Sequence, residues 1–242
     1  MMVPRLHLAD RLEAGAELRL AGDRAHYLRH VLRLRDGDAV LPFNAEDGEW
    51  RARLATARRR EVILIVEERR RAPADEPGPT LVFAPIRRNR LDWLVEKAVE
   101  LGAARLVPVI TRRTVVKPEG SARLEAIARE AAEQCGRLTV PPVDPPRPLE
   151  AWIEARDPAM PLLLADERGG GEPLLAAAAG QRQAELVVGA EGGWADEERQ
   201  RLLTAPLAVP VSLGPRILRA ETAALYLLTC WQAVHGGCSA KG

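Results

Sequence analysis

Arg219, Glu221 and Thr222 fall close together in the run Ser212-Leu213-Gly214-Pro215-Arg216-Ile217-Leu218-Arg219-Ala220-Glu221-Thr222-Ala223. A cation, a carboxylate and a hydroxyl at the entrance to a helix, directly after a glycine-bearing turn, can hold a ligand and manage a proton. A plain ion pair at a helix start would use the same residues without any chemistry. A second glycine-bearing turn, Val188-Gly189-Ala190-Glu191-Gly192-Gly193-Trp194, lies upstream. Both turns follow apolar runs that read as strands. In parallel sheets ligands bind at the carboxyl ends of strands, where glycine lets main-chain groups come close to a cofactor. Taken singly, each turn also reads as an ordinary connection.

The elements that must position these turns form an alternating pattern from Thr80 onward. Leu81 to Ala84, Leu106 to Ile110, Leu162 to Ala165, Leu186 to Gly189 and Ala208 to Val211 read as strands. Helical spacing runs from Leu91 to Leu101 and from 121 to 135, the latter capped by Ser121 with Glu125 in its first turn, and a final helix is expected from Ala220 to Ala233. This alternation is the α/β signature of a mostly parallel sheet. Before residue 71 the texture differs. Glu17 to Leu20, Ala39 to Phe43 and Glu61 to Val66 read as strands around a helical stretch from Arg24 to Arg33. The proline-rich segment Arg71 to Pro79 forbids a regular element, so the expected domains are 1–72, small and β-rich, and 80–242.

Composition narrows the class without deciding it. The chain has 242 residues, 47% of them hydrophobic, and a formal net charge of +1, so nucleic-acid binding must rest on where charges lie. Nearly all basic residues are Arg, whose rigid fork suits phosphate, although codon bias or a heat-adapted surface explains this equally. Cys135, Cys230 and Cys238 are widely spaced, which fits free thiols rather than a disulfide framework or zinc. His26 and His30 stand at helical i, i+4 spacing, but no third ligand is near them, so no metal is expected. Neither a signal peptide nor a membrane span is read, so the expected location is cytoplasmic.

The run Val211 to Ala223 closely resembles the C-terminal knot motif of the small-subunit ribosomal RNA methyltransferase E family, of the SPOUT superfamily. Supporting segments are Lys97 to Gly102, Pro108 with Thr111-Arg112-Arg113, and Ala128 to Pro141 around Glu133-Gln134-Cys135-Gly136-Arg137. Pro4-Arg5 and His26 to Asp38 are similar to the family's PUA-like RNA-binding domain, so the likeness covers essentially the whole chain. One departure is Ala190, where the family usually carries proline; cofactor binding loosened modestly at most is the expected effect.

The resemblance implies an α/β SPOUT domain with a C-terminal trefoil knot behind a small PUA-like β-barrel. It implies a homodimer that uses S-adenosyl-L-methionine to methylate N3 of a uridine in 16S ribosomal RNA, within a small-subunit particle. Other SPOUT targets, in transfer RNA or at a ribose 2'-hydroxyl, and a non-catalytic RNA-binding role are the alternatives. The cofactor would lie bent in three loops, Leu164 to Glu167, Gly189 to Gly193 and Leu213 to Leu218. Its contacts would be Leu164, Ala165, Gly189, Glu191, Gly192, Leu213, Gly214, Ile217, Leu218, Thr222 and Ala223. Uracil N3 is a poor nucleophile until its proton leaves, so Glu221 is expected to accept that proton and Arg219 to stabilise the charge on O2 and O4. Glu191 is a further candidate base. Arg5, Arg29, Arg33, Arg35, Arg87, Arg88 and Arg90 are the expected phosphate contacts. Trp194 is a candidate for stacking on a base, whereas Trp93, Trp152 and Trp231 suit a core or dimer interface.

Overall fold

The computed structural model describes residues 3–58, 61–116 and 120–236. Cys238, expected to be a free thiol, lies outside these residues, and Cys135 and Cys230 are free. By contacts the chain forms two compact units, Met1–Glu76 with Ala132–Val140, and Pro77–Ala131 with Pro141–Gly242. Residues 132 to 140, inside the range read from sequence as the second domain, thus pack with the first. No helix among the described residues is long and apolar enough to cross a membrane.

The first unit contains β1 (Arg5–His7), β2 (Glu17–Ala21), α1 (Gly22–His26) continuing as a π-helical turn (Tyr27–Val31), β3 (Ala39–Asn44), β4 (Gly48–Arg58) and β5 (Glu61–Arg71). Among the described residues these strands form one sheet in the order β1-β3-β4-β5-β2, parallel only between β1 and β3. Alternation in β5 buries Val62, Leu64 and Val66 against Leu18, Leu20, Leu28 and Leu54, as the two-residue period of a strand requires. The β4–β5 ladder has register shifts near Glu49, Arg51 and Leu54, and such bulges increase the local twist of a sheet.

Arg5 is used differently from the expectation drawn from the sequence. Its guanidinium pairs with Glu49 at 2.6 Å, donates to the carbonyls of Ala132, Glu133 and Arg137 at 2.7, 3.0 and 2.6 Å, and lies 4.0 Å from the centroid of the Phe43 ring. It satisfies carbonyls at the end of the helix Ala122–Cys135, which have no acceptor role left inside the helix. A side chain so engaged does not serve as a phosphate contact. His26 and His30 also depart from a simple helical pair, because the chain changes from α- to π-helical between them and their rings stack with centroids 4.7 Å apart.

The second unit contains β6 (Thr80–Phe83), α2 (Arg88–Glu100), β7 (Arg105–Ile110), α3 (Ala122–Cys135), β8 (Arg147–Pro148), α4 (Leu149–Ala155), β9 (Leu162–Ala165), β10 (Glu172–Pro173), α5 (Leu174–Ala179), β11 (Glu185–Val188), α6 (Asp196–Leu203), β12 (Ala208–Ser212) and α7 (Ala220–His235). The strands form a parallel sheet in the order β10-β12-β9-β11-β6-β7-β8. Every residue of β9 and β11 is buried, as in a parallel sheet covered on both faces. The chain lays down β9 and β10, crosses to β11 on the far side of β9, and returns to fill the slot between β9 and β10 with β12. α2 begins at Arg88 rather than Leu91, so Arg88 and Arg90 belong to its first turn.

A buried ion pair fastens the edge of this core. Arg156 Nε meets Glu185 Oε2 at 2.7 Å, with side chains 2% and 11% exposed, and the same guanidinium donates to the carbonyls of Pro206, at 3.1 Å, and Met160. Burial pushes the Glu185 carboxyl above its ordinary range despite the hydrogen bond from Arg156. Arg156→Ala strands that carboxylate and is expected to cost about 3–5 kcal/mol near neutral pH. The folded state then holds the Glu185 proton more tightly than the unfolded chain, so stability rises as pH falls through the folded-state value. Urea unfolding at about pH 8 and about pH 5 should show the deficit of the variant shrinking at the lower pH; a deficit that grows would contradict the pairing.

Candidate active site

Three adjacent parallel strands, β12, β9 and β11, end on one side of the sheet, and the loops that leave them enclose a cleft of about 570 Å³. That volume lies within the range of small-molecule sites. The β9 loop contributes Ala165, Asp166, Glu167, Arg168 and Gly169, and the β11 loop contributes Gly189 to Gly193. The β12 loop contributes Leu213 to Leu218, followed by Ala220 and Ala223 of α7. Arg113 enters from a fourth loop, after β7.

The loops are held by carboxylates. Asp166, with its side chain 3% exposed, receives Arg199 Nε at 3.0 Å. Burial raises its carboxyl, but the hydrogen bond and charge of Arg199 outweigh this and hold it below its ordinary range. Glu167 Oε1 accepts the Trp194 N–H at 2.9 Å, and a Cβ at Gly193 would stand 2.3 Å from that oxygen. Gly193 also has φ +72, so it meets both a close approach and a left-handed backbone. The buried Glu198 joins two loops: Oε1 accepts the Arg112 N–H at 2.7 Å and Oε2 the Ala195 N–H at 3.1 Å. Arg113 Nη1 then donates to the Gly192 carbonyl at 2.7 Å. Ala190 needs no proline to shape its turn, which is closed by the Gly193 N–H on the Ala190 carbonyl at 2.8 Å.

Of the residues the sequence marked for a cofactor, Ala165, Gly189, Glu191, Gly192, Leu213, Gly214, Ile217, Leu218 and Ala223 line the cleft. Leu164 is buried within β9, and Thr222 is exposed on α7; neither lines it. Arg219 and Glu221 are likewise absent from the wall. The cause is helical phase: Ala220 and Ala223, three apart, share the face turned to the cleft, and the intervening residues point elsewhere. Glu221 is buried and faces α2, where Arg90 Nη1 donates to Oε1 at 3.2 Å and also lies 3.6 Å from Glu191 Oε1. Glu221 Oε2 is buried without a hydrogen-bond partner among the described residues. Arg90, marked as a phosphate contact, therefore ties Glu221 of α7 to Glu191 of the β11 loop.

Trp194 is fully buried, with its indole Nε1 3.4 Å from the Ala165 carbonyl and its ring so near Gly189 that a Cβ there would approach to 2.9 Å. It supports the loop from beneath and is not a base-stacking platform. Trp152 and Trp231 are buried, whereas Trp93 is 45% exposed on α2. Arg33, Arg35, Arg87 and Arg88 are exposed, and Arg29 spends one N–H on the Leu34 carbonyl at 3.1 Å. Among the described residues no group of three or more His, Cys, Asp and Glu could hold a metal ion. Arg113 and Arg168 were not foreseen as site residues; Arg113 was marked only as part of the Thr111-Arg112-Arg113 segment that resembles the family.

A parallel sheet with a loop-built cleft at its carboxyl edge is a place for a small-molecule ligand, and family comparison gives the class, an RNA methyltransferase. The RNA methyltransferase domain family matches residues 75–232, and the RNA methyltransferase PUA domain family matches residues 20–67. The chain belongs to the ribosomal RNA small subunit methyltransferase E family. It is 34% identical to the protein of that name from Synechocystis sp. over 92% of this chain and 75% of the relative. Identity to the Rickettsia conorii protein of the same name is 29% over 93% of each chain. The solved structure of the Neisseria gonorrhoeae methyltransferase E, bound to S-adenosyl methionine, superposes with a TM-score of 0.86 at 28% identity, covering 97% of this chain and 98% of that one.

Glu198 carries the clearest structural test of the cleft. Glu198→Ala leaves the Arg112 and Ala195 amides without their acceptor, and charge-assisted bonds of this kind contribute about 1.5–3 kcal/mol each. The variant should unfold at lower urea concentration, and hydrogen exchange at those two amides should accelerate more than in the body of α6. Unchanged exchange there would remove Glu198 as the brace.

Proposed function

We propose that this chain methylates N3 of a uridine in 16S small-subunit ribosomal RNA, using S-adenosyl-L-methionine, in the cytoplasm and as a homodimer. The observation that carries the reading is the cleft at the ends of β9, β11 and β12, in a chain that matches proteins named ribosomal RNA small subunit methyltransferase E over 93% and 75% of their lengths. The residues present fit the cofactor. Leu213, Ile217, Leu218, Ala220 and Ala223 offer an apolar wall for adenine, and the glycine-bearing loops offer main-chain donors and acceptors for its polar groups. When bound, S-adenosyl-L-methionine supplies an electrophilic methyl group on a sulfonium.

The protein's own work is positioning and charge. Holding the uracil nitrogen in line with the methyl carbon removes the entropy cost of an encounter. Glu191, which lines the cleft, is better placed than Glu221 to accept the N3 proton. Glu221 instead acts through Arg90 as part of the tie between α2, α7 and the β11 loop. Arg219, exposed between the cleft residues Leu218 and Ala220, meets the incoming RNA. Arg87 and Arg88 at the start of α2, with Arg29, Arg33 and Arg35 of the first unit, supply phosphate contacts that set register without reading sequence. The assembly reading rests on the family resemblance and on the aromatic side chains that α2 and α7 leave exposed, Trp93 at 45% and Tyr226 at 44%, which a two-fold contact would cover.

Nucleoside analysis of ribosomal RNA from a strain lacking the gene should show the loss of N3-methyluridine from small-subunit RNA, and the purified chain should restore it on either naked RNA or the small-subunit particle. Loss of a 2'-O-methyl nucleoside, or of a modification in transfer RNA, would move the acceptor. Gly214 has φ +95 with open space at its Cβ position, so Gly214→Val acts through backbone strain of about 1–3 kcal/mol. Calorimetry should find S-adenosyl-L-methionine bound about tenfold or more weakly by the variant, and equal affinity would remove this loop from the cofactor site. In sedimentation, Trp93→Glu combined with Tyr226→Glu should convert dimer to monomer.

A further inference from the structure

We infer that Arg113 is the cation that stabilises the negative charge developing on the carbonyl oxygens of the target uracil as N3 loses its proton. This rests on the uridine-N3 reading above and assigns a role that Arg219, lying off the cleft wall, does not fill.

The reaction sets the requirement. The N3–H proton passes to the Glu191 carboxylate, the nitrogen pair forms the bond to the methyl carbon, and the carbon–sulfur pair stays with sulfur. Between proton loss and methyl gain the ring is anionic, with charge on O2 and O4. A fixed donor aimed at that charge lowers the barrier, whereas a mobile one must first pay for being ordered.

Three arginines line the cleft, Arg113, Arg168 and Arg216, and their fastening separates them. Arg168 is committed to Asp196, whose carboxyl is held low first by that hydrogen bond and then by the charge of Arg168. Arg216 is exposed on the β12 loop, whose turn carries a bond from Gly214 N–H to Ser212 Oγ at 3.3 Å. Arg113 is fixed at both ends. The main chain before it is clamped by Glu198 through the Arg112 N–H at 2.7 Å, and its turn is closed by Thr114 Oγ1 accepting the Thr111 N–H at 2.9 Å. Its guanidinium is braced by the Gly192 carbonyl at 2.7 Å. That bond uses one N–H of a fork that carries several, in a planar arrangement suited to carbonyl oxygens. The braced carbonyl belongs to Gly192, which follows Glu191, the proposed proton acceptor, in the chain, and Arg113 and Glu191 both line the cleft.

The test uses the full-length protein and small-subunit RNA transcribed with either uridine or 5-fluorouridine, whose N3 proton is more acidic. Arg113→Gln should lower kcat about 100-fold or more on the uridine RNA, with S-adenosyl-L-methionine affinity by calorimetry changed less than about threefold. Its rate should keep rising with pH where the wild type has levelled off, and the loss should shrink several-fold on 5-fluorouridine RNA, where the anion forms more readily. Arg113→Lys should recover part of the rate. A wild-type kcat in Arg113→Gln, a loss confined to cofactor affinity, or an equal loss on both RNAs would overturn the inference, as would transfer of the fluorine-sensitive defect to Arg216→Gln. Failure of the wild-type protein to methylate N3 at all would instead overturn the proposed function, so the two failures are distinct.

Discussion

Three neighbouring parallel strands that end together force their loops to leave side by side, with main-chain N–H and C=O groups that the sheet no longer satisfies. Carboxylates resolve this here. Glu167 accepts the Trp194 amide, Glu198 accepts the Ala195 and Arg112 amides, and Asp166 is fastened to Arg199. Each bond removes a loop's freedom at a point just outside the cleft, leaving the glycine-bearing segments to face inward with their shape already decided. Preorganisation of this kind is what allows a site made largely of main chain to bind without a large ordering cost.

The sequence revealed β6, β7, β9, β11 and β12 of the parallel sheet because each holds a short apolar run, which in β9 and β11 is buried on both faces. It also located the two glycine-bearing turns. It missed β1 and β4, the first only three residues long and the second interrupted by Arg51, Arg53 and Arg58. The helices α4, α5 and α6 are too short for helical periodicity to stand out. The start of α2 was hidden by its arginines, since basic residues are unfavourable in a first turn.

Site residues were legible in proportion to how local their contacts are. Those on the turns could be named directly. Arg219 and Glu221 were placed in the right segment, but a stretch of letters does not show which face of a helix meets the cleft, and two alanines occupy it. Arg113 and Glu198 depend on partners 79 and 86 residues away, and Arg5 on carbonyls 127 to 132 residues away. No short-range pattern encodes such pairings. The side chains that looked most available to RNA therefore included one that the fold had already committed.

The slot filled by β12 has a consequence for the order in which the protein can be made. β9 and β10 precede it in the chain, so until β12 arrives both present unpaired strand edges to solvent, the feature that most invites association with other chains. The nascent polypeptide must pass through that exposed interval as the ribosome extends it, and closing a gap between strands already in place is a slow, non-local event. The catalytic pocket is thus the last feature to exist. A chain halted before β12 would carry a sheet that stops at the open edge of β9, and no enzyme.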